Sequence, residues 1–579
     1  MYVRPCYRKK NGKRHAYWAL VESYRTERGP RQRVVAYLGD VDEQGRLGVK
    51  QAAEKRGSNH QGRLFDDVKP RWVEVDANAV RVERTRDFGG PWLGLELLKR
   101  LDLVSFLEQV MPRGREQIPW PTMALVLVLS RLCDPSSELY IAEHAYQNNA
   151  LVDLLGVPEE KVNEDRLYRA LDYLLPHKAA LERHLKAKVG DLFDLKYDLL
   201  MYDVTSTYFE GEAKRNPQAQ RGYSRDHRPD CKQVCIGLVV SQCGIPLGYE
   251  VFAGNRQDGT TVEEIVETME SRYGRADRIW VLDRGMISDD NMEFLRAEGR
   301  RYIVGTPKSM LKQYEQDLVK DDWDSVHEGL EVKLVRGPDG DETFILCRSQ
   351  DRREKEKAMH DRFEKRIEEA LVRLSGRLEK AKKKPDEQQV QRQIGRLLGR
   401  NSRAAGLFDI DVKKVERDGR PGLRVTWTKR QAWRRWSELS EGCYMLRSNV
   451  GDLTGPDLWR AYTQLTEAEA AFRIQKTDLK IRPVWHQKEE RVQAHILVCF
   501  LAYVLWKTLG QCCRQAGLGD EPRRMFDELS RLKLVDVLLP TRTGPVIRKR
   551  CVSRPTDHQQ ILLHRLGLNL PTGMETTAM

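Results

Sequence analysis

The stretch that decides the fold is LLMYDVTSTYF, residues 199–209. Apolar, β-branched and aromatic residues fill it, which is typical of a β-strand, and Asp203 stands in its middle. Two more strands are predicted at Val234–Gln242 and Pro246–Phe252, joined by a turn at Cys243–Ile245. A carboxylate in such an apolar strand is costly to bury unless a cation compensates its charge. Asp203 is therefore a candidate ligand for a cation.

Alternating helices and strands are predicted after these three strands. Three consecutive strands followed by this alternation are typical of a ribonuclease H-like α/β fold. The sequence therefore predicts such a core in two parts, residues 196–306 and 451–514. The elements that complete its first part are a helix at Thr261–Tyr273, a strand at Arg278–Leu282, a helix at Ser288–Ala297 and a strand at Arg301–Gly305.

A second acidic residue, Asp283, ends an apolar strand just before Arg284. Strand ends in α/β folds direct functional groups into the crevice above the sheet. If the strands of Asp203 and Asp283 are neighbours, both carboxylates meet, and a hard divalent cation prefers such oxygen ligands. An aspartate that caps the next turn would explain either residue alone, but it explains the pair less well.

The third acidic candidate lies in a helix predicted from about Pro456 to Lys476. Glu469 shares one face of that helix with cations, whereas Glu467 lies about 200° around a helix of 3.6 residues per turn. This spacing favours Glu469 over Glu467 as a metal ligand. An amphipathic helix with a salt-bridged surface is the alternative. The residues on the favoured face are Tyr462, Leu465, Glu469, Arg473 and Lys476.

Regions outside this core have their own patterns. Residues 1–36 carry ten Lys or Arg against two Glu, and His15–Tyr24 with Arg33–Leu38 predicts a small β-hairpin. Its basic face either follows a DNA backbone or is simply solvated. The predicted domains are a basic β-containing region (1–85), a helical domain expected to bind DNA (86–195), an insertion with a helical hairpin (307–450) and a C-terminal region of helix and loop (515–579). In the helical domain, Asn163 is expected to cap the fourth of five helices, which are predicted at Pro91–Met111, Pro121–Cys133, Glu138–Leu155, Glu164–Leu175 and Lys178–Val189.

Charge, apolar runs and cysteine content together indicate which classes of protein fit this sequence. The 579 residues carry a net charge of +13, which suits a polyanionic partner but also many other soluble proteins. The start lacks the apolar core of a secretory signal, and the longest apolar run, His495–Trp506, is too short to cross a bilayer. Eleven scattered cysteines fit a reducing cytosol, so we expect a cytoplasmic protein. A zinc site is a weaker alternative than buried thiols, because no CxxC pair occurs; its candidate ligands are His227, Cys231, Cys235 and Cys243.

Several motifs together resemble the DDE transposases of bacterial insertion sequences, in the group with a β-rich insertion between the second Asp and the Glu. The motifs are YDVTSTYF at 202–209, GIPLGYEVFAGN at 244–255 with Asp258, and DRGM at 283–286. The group's Tyr-x2-Arg-x3-Glu-x6-Lys signature is matched by Tyr462, Glu469 and Lys476. Its Arg position is Leu465 here, which is a departure that Arg473 could compensate.

The resemblance implies a bacterial DNA transposase that is cytoplasmic and associated with the nucleoid. Asp203, Asp283 and Glu469 would hold two Mg²⁺ ions, which Mn²⁺ could replace, for cleavage of transposon ends and joining of their 3′-hydroxyls to target DNA. Double-stranded DNA is the expected partner, and two ends brought together imply a dimer. The open alternatives are an inactive DNA-binding relative and a nuclease that cuts without joining. The residues expected to contact DNA are Tyr462, Arg473, Lys476 and Arg284, and Trp427, Trp433 and Trp436 are candidates for base stacking or for core.

Overall fold

The computed structural model describes residues 2–10, 13–26, 29–39, 73–275, 277–337, 340–381, 385–417, 420–542, 544–571 and 576–578. The chain forms two compact units. The first unit contains residues 1–197, 203–276 and 466–579, and the second contains residues 198–202 and 277–465. Both units mix helices with β-sheet, as an α/β fold requires.

The helices of eight or more residues in the described ranges are numbered in chain order. They are α1 (Gly89–Arg100), α2 (Leu103–Val110), α3 (Trp120–Cys133), α4 (Glu164–Leu174), α5 (Lys178–Phe193), α6 (Val262–Tyr273), α7 (Asp289–Ala297), α8 (Gln350–Glu379), α9 (Glu387–Arg400), α10 (Gln431–Ser440), α11 (Gly455–Thr463), α12 (Thr466–Thr477), α13 (Glu489–Gln515), α14 (Pro522–Leu529) and α15 (Asp557–Arg565).

The strands belong to four sheets, whose orders are β1-β2-β3, β10-β11-β12-β15-β9-β8-β5-β6-β7, β13-β14 and β18-β17-β16-β4. They are β1 (Tyr2–Lys10), β2 (Lys13–Thr26), β3 (Gly29–Gly39), β4 (Arg81–Asp87), β5 (Leu199–Tyr208), β6 (Gln233–Ser241), β7 (Pro246–Ala253), β8 (Ile279–Leu282), β9 (Arg301–Gly305), β10 (Asp324–His327), β11 (Leu330–Arg336), β12 (Thr343–Ser349), β13 (Phe408–Arg417), β14 (Arg420–Lys429), β15 (Cys443–Ser448), β16 (Lys533–Leu539), β17 (Ile547–Val552) and β18 (Thr576–Ala578).

Strand β5 is an interior strand of the largest sheet, with β8 and β6 as its neighbours in the strand order. In the second unit its first residues pair in parallel with β8, which pairs in parallel with β9. In the first unit β6 is its neighbour and pairs antiparallel with β7. Every residue of β6 is buried, as expected of a strand covered on both faces. The five strands predicted here are therefore confirmed.

The core of the first unit is helical. Helix α13 packs on α3 and α4, and it is the one helix in the described ranges that could cross a membrane by length and composition. However, 94% of its most apolar window is buried inside the structure. Such burial is typical of a core helix, and it accounts for the apolar run at His495–Trp506.

In the second unit, helices α8 and α9 form the predicted helical hairpin over β13 and β14. Its apolar seam is one buried cluster that includes Ile367, Leu371 and Ile394. Trp427 and Trp433 pack against the same cluster. Trp436 packs against a second cluster around Leu311. All three tryptophans thus contribute to packing, which was the alternative to base stacking.

Several predicted helix boundaries are wrong. A single helix over Pro91–Met111 is instead α1 and α2, because Asp102 adopts a left-handed conformation with φ of 53°. The helix predicted at Glu138–Leu155 is interrupted after Ala145. There the Asn149 side chain donates to Ala145 O (2.8 Å) and accepts from Leu151 N (2.8 Å), replacing helical hydrogen bonds.

The two ends of the chain also contain more strand than predicted. The hairpin at the start is confirmed by the antiparallel pairing of β2 with β3, and β1 adds a strand to it. The C-terminal region, predicted as helix and loop, contributes β16 and β17 to a sheet in which β16 pairs with β4. Residues 40–72, in the predicted basic region, lie outside the described residues.

Candidate functional site

Asp203 and Asp283 come directly after two residues that lie opposite each other on neighbouring strands. In the second unit, Tyr202 on β5 lies opposite Leu282 on β8, in parallel strands. Each aspartate is the next residue in its strand direction. Asp203 is half-buried, and its Oδ1 accepts from the backbone N–H of Val204 (2.8 Å).

Asp283 has an exposed carboxylate at the start of a short 3-10 turn, Arg284–Met286. It occupies the residue position that caps this turn, but its side chain makes no capping hydrogen bond. Its backbone carbonyl closes the turn instead, accepting from Met286 N (3.0 Å). The alternative interpretation, an aspartate retained to cap the turn, is therefore not supported.

Tyr462 comes close to Asp283 and Arg284 within the second unit. A Cβ built on Gly305 would lie 2.5 Å from the Tyr462 Oη and 3.2 Å from the Arg284 backbone N, so only glycine leaves room for this phenol. Burial, and then the negative charge of Asp283, raise the pKa of Tyr462. The phenol therefore stays protonated at neutral pH, and its O–H can donate.

Glu469 lies in the first turn of α12, in the first unit. Its side chain is exposed, and among the described residues it makes no ion pair. Glu467, the competing carboxylate, forms an ion pair with Lys507 (3.0 Å) on α13. Of the two glutamates, Glu469 is thus the one with its carboxylate available.

The single helix predicted over Pro456–Lys476 is wrong, since Tyr462 lies in the last turn of α11 and Glu469 belongs to α12. A two-residue turn at Gln464 and Leu465 separates the helices, and Leu465 N donates to Tyr462 O (3.0 Å) across it. Leu465 is buried. An apolar residue suits that position, so the missing Arg of the signature reflects a buried turn in this chain.

An ion pair between Arg225 and Asp258 lies near Asp203 in the first unit, and it was not predicted from the sequence. The guanidinium of Arg225 pairs with Asp258. Burial acts to lower the pKa of Arg225, but the hydrogen bond and charge of Asp258, with a smaller contribution from Asp203, raise it. The sequence signal for this ion pair is the charged stretch RDHRPD, residues 225–230, between two apolar strands.

A second set of ion pairs, the Asp226 cluster, consists of Asp226, Lys476 and Arg482. The Asp226 Oδ1 accepts from Lys476 Nζ (2.8 Å) and from Arg482 Nη1. The exposed fractions of the Asp226 and Lys476 side chains are 2% and 11%. Burial lowers the pKa of Lys476, although Asp226 opposes that effect.

A buried group of potential metal ligands, Glu138, His486 and His495, also lies in the first unit. Their nearest ligand atoms are within 4.8 Å of one another. Arg131 can only donate, so its Nη2 hydrogen-bonds to His495 Nδ1 (3.4 Å), which leaves His495 Nε2 to donate to Ile481 O (3.1 Å). Both ring nitrogens of His495 are therefore used in hydrogen bonds, and the guanidinium of Arg131 already supplies the positive charge that a metal ion would bring. These bonds favour a structural network over a metal centre.

Comparison with known proteins gives two family matches. A model described as "Transposase DDE domain" matches residues 194–505, which is more than half of the chain. One described as "IS1634 family transposase, N-terminal domain" matches residues 4–66. A search of curated proteins finds no match. Among solved structures, a piggyBac transposase synaptic complex with hairpin DNA aligns at 9% identity and a TM-score of 0.34, over 79% of this chain and 82% of that chain.

Proposed function

Because the chain belongs to the transposases that carry a DDE domain, we propose that it cleaves DNA at transposon ends and joins the 3′-hydroxyls to target DNA. The observation that carries this proposal is the register of β5 and β8. It pairs Tyr202 with Leu282, the two residues directly before Asp203 and Asp283. The strand order β7-β6-β5-β8-β9 further supports a ribonuclease H-like core.

The donor set fits a hard divalent cation. Asp203, Asp283 and Glu469 offer carboxylate oxygens, which Mg²⁺ prefers, with Mn²⁺ as an alternative. Asp283 is not used as a cap and Glu469 is in no ion pair among the described residues, so both carboxylates are free to ligate. Bound there, two Mg²⁺ ions would supply an activated water or 3′-hydroxyl and stabilisation of the leaving oxygen.

The residues around these carboxylates would bind and orient the DNA strand. Exposed Arg284 and Arg473 can each neutralise a phosphate, and the protonated Tyr462 can donate a hydrogen bond to one. The net charge of +13 adds a sequence-independent attraction to double-stranded DNA. Since two ends must be brought together, we expect at least a dimer of this chain in the complex with DNA.

Nicking of a duplex that carries the inverted repeat flanking the coding sequence tests the assignment. Asp203→Asn is expected to abolish Mg²⁺-dependent nicking while the affinity for that duplex stays within about twofold, because amide and carboxylate have nearly the same shape. Nicking that persists in Asp203→Asn would show that the site is wrongly assigned.

Joining needs its own assay, because a nuclease of the same fold would also nick. Duplex ends that are already cut, mixed with a supercoiled plasmid and Mg²⁺, are expected to become covalently attached to the plasmid. Cleavage of uncut ends without such attachment would favour a nuclease. Binding without either reaction would favour an inactive DNA-binding relative.

A further inference from the structure

Lys476, which the family signature assigns to DNA, is held inside the first unit by the Asp226 cluster. Its ammonium donates to Asp226 Oδ1 at 2.8 Å, and only 11% of its side chain is exposed. The same oxygen also accepts from Arg482. For Lys476 to contact a phosphate it would have to leave a carboxylate that is 98% buried, and breaking such a pair is strongly unfavourable.

The position of Lys476 on α12 relates it to Glu469. The two residues are seven apart, which is two helical turns, so they share a face and are separated by about 10 Å along the axis. At the other end of the helix, Glu467 pairs with Lys507 on α13 (3.0 Å). Ion pairs therefore fasten α12 on both sides of Glu469.

The connection that holds Lys476 also reaches Asp203. Asp226 directly follows Arg225, which pairs with Asp258 and whose pKa is raised in part by the negative charge of Asp203. The backbone N–H of Arg225 donates to Ser206 Oγ (3.4 Å) on β5, the strand of Asp203. Within the first unit, the segment 225–226 thus joins the strand of one proposed metal ligand to the helix of another.

We propose that Asp226 and Lys476 are positioning residues, which fix α12 so that Glu469 completes the metal site, and that Lys476 does not bind DNA. This inference rests on the function proposed above. Arg473, exposed on the same helix three residues before Lys476, is the residue left to neutralise a phosphate.

Two matched substitutions separate positioning from DNA binding. Lys476→Met and Arg473→Met each remove one positive charge from α12, and Lys320→Met removes an exposed lysine paired with Asp317 (2.7 Å) elsewhere in the chain. Affinity for the end duplex is measured against salt concentration in Ca²⁺. Arg473→Met is expected to reduce the salt slope by about 0.9, the value for one lost phosphate contact. Lys476→Met is expected to keep the slope of Lys320→Met.

The Mg²⁺ concentration for half-maximal nicking provides the second measurement. Lys476→Met and Asp226→Asn are each expected to raise it at least about fivefold, and the double variant no further than either alone, because both break one contact. Lys476→Arg keeps the ion pair, so its Mg²⁺ concentration for half-maximal nicking is expected to stay within about twofold of that of the unaltered protein. Binding of Mn²⁺ to the enzyme–duplex complex, followed by electron paramagnetic resonance, checks metal affinity without turnover.

Two outcomes overturn the inference. One is a Lys476→Met variant whose salt slope falls by about 0.9, as for a phosphate contact. The other is an unchanged Mg²⁺ requirement in that variant, whatever its slope. If Lys476→Met does not fold, Asp226→Asn and Lys476→Arg supply the same comparison. Failure of the proposed function itself is recognised separately, by nicking that survives Asp203→Asn.

Discussion

Substitution of Gly305 by alanine tests the packing that places Tyr462 beside Asp283. The added Cβ would lie 2.5 Å from the Tyr462 Oη and 3.2 Å from the Arg284 backbone N. Ordinary contact needs about 3.5 Å, so the phenol oxygen must move by about 1 Å. Tyr462 is packed against a buried cluster that includes Leu458 and Ile303, so the ring has little room to swing away.

Overpacking of this kind typically destabilises by about 1–3 kcal/mol. Alanine loses less backbone entropy than glycine on folding, which offsets up to about 1 kcal/mol. We therefore expect Gly305→Ala to lower the free energy of unfolding by about 1–2 kcal/mol, measured by urea denaturation. Nicking should fall with it, because the Tyr462 hydroxyl is displaced from Asp283 and Arg284.

The same substitution in a Tyr462→Phe background provides the control. Phenylalanine lacks the oxygen that meets the new Cβ, so Gly305→Ala should there cost at least about 1 kcal/mol less. An equal loss of stability in both backgrounds would refute the packing argument, and so would no loss in either.

Three further predictions concern single residues. Asn163→Ala removes the cap of α4, in which Asn163 Oδ1 accepts from Arg166 N (3.0 Å), and should destabilise by about 1 kcal/mol in urea unfolding; no change would refute the cap. Burial, with the charge of Arg131, lowers the pKa of His495 to about 3, so its neutral form favours the folded state. That contribution to stability is complete above pH 6.5 and is lost as pH falls toward 3, by up to about 1.4 kcal/mol per pH unit. The free energy of unfolding, measured between pH 7 and pH 5, should therefore depend less on pH in His495→Gln than in the unaltered protein. Glu469→Gln should reduce the nicking rate more than about 100-fold, whereas Glu467→Gln, which loses only its pair with Lys507, should retain most of it; the reverse order would mean that the wrong glutamate was chosen.

The central strands could be predicted from the sequence because burial on both faces leaves a local signature. Continuous apolar runs such as β6 are bounded by turn residues, and the prediction of β5 to β9 needed no distant information. Asn163 was likewise found from its position before an apolar periodic segment, and its capping hydrogen bond is confirmed.

Features that depend on residues far apart could not be predicted. Strand β4 pairs with β16 across more than 400 residues, and Asp226 holds Lys476 across 250, with no periodicity to reveal either pairing. The turn at Gln464 and Leu465 was not predicted for a different reason. The spacing of three between Tyr462 and Leu465 fits both a continuous helix and the i+3 hydrogen bond that ends α11, so periodicity alone could not separate them.

The central claim is that the carboxylates hold the metal ions, and a change of metal preference tests it most directly. Asp283→Cys replaces a hard oxygen ligand by a thiolate, which binds Mg²⁺ poorly and accepts softer ions such as Mn²⁺. We predict that nicking by this variant is lost in Mg²⁺ and partly restored in Mn²⁺, while Asp283→Ala stays inactive in both. Nicking by Asp283→Cys in Mg²⁺ at the rate of the unaltered protein would contradict the claim.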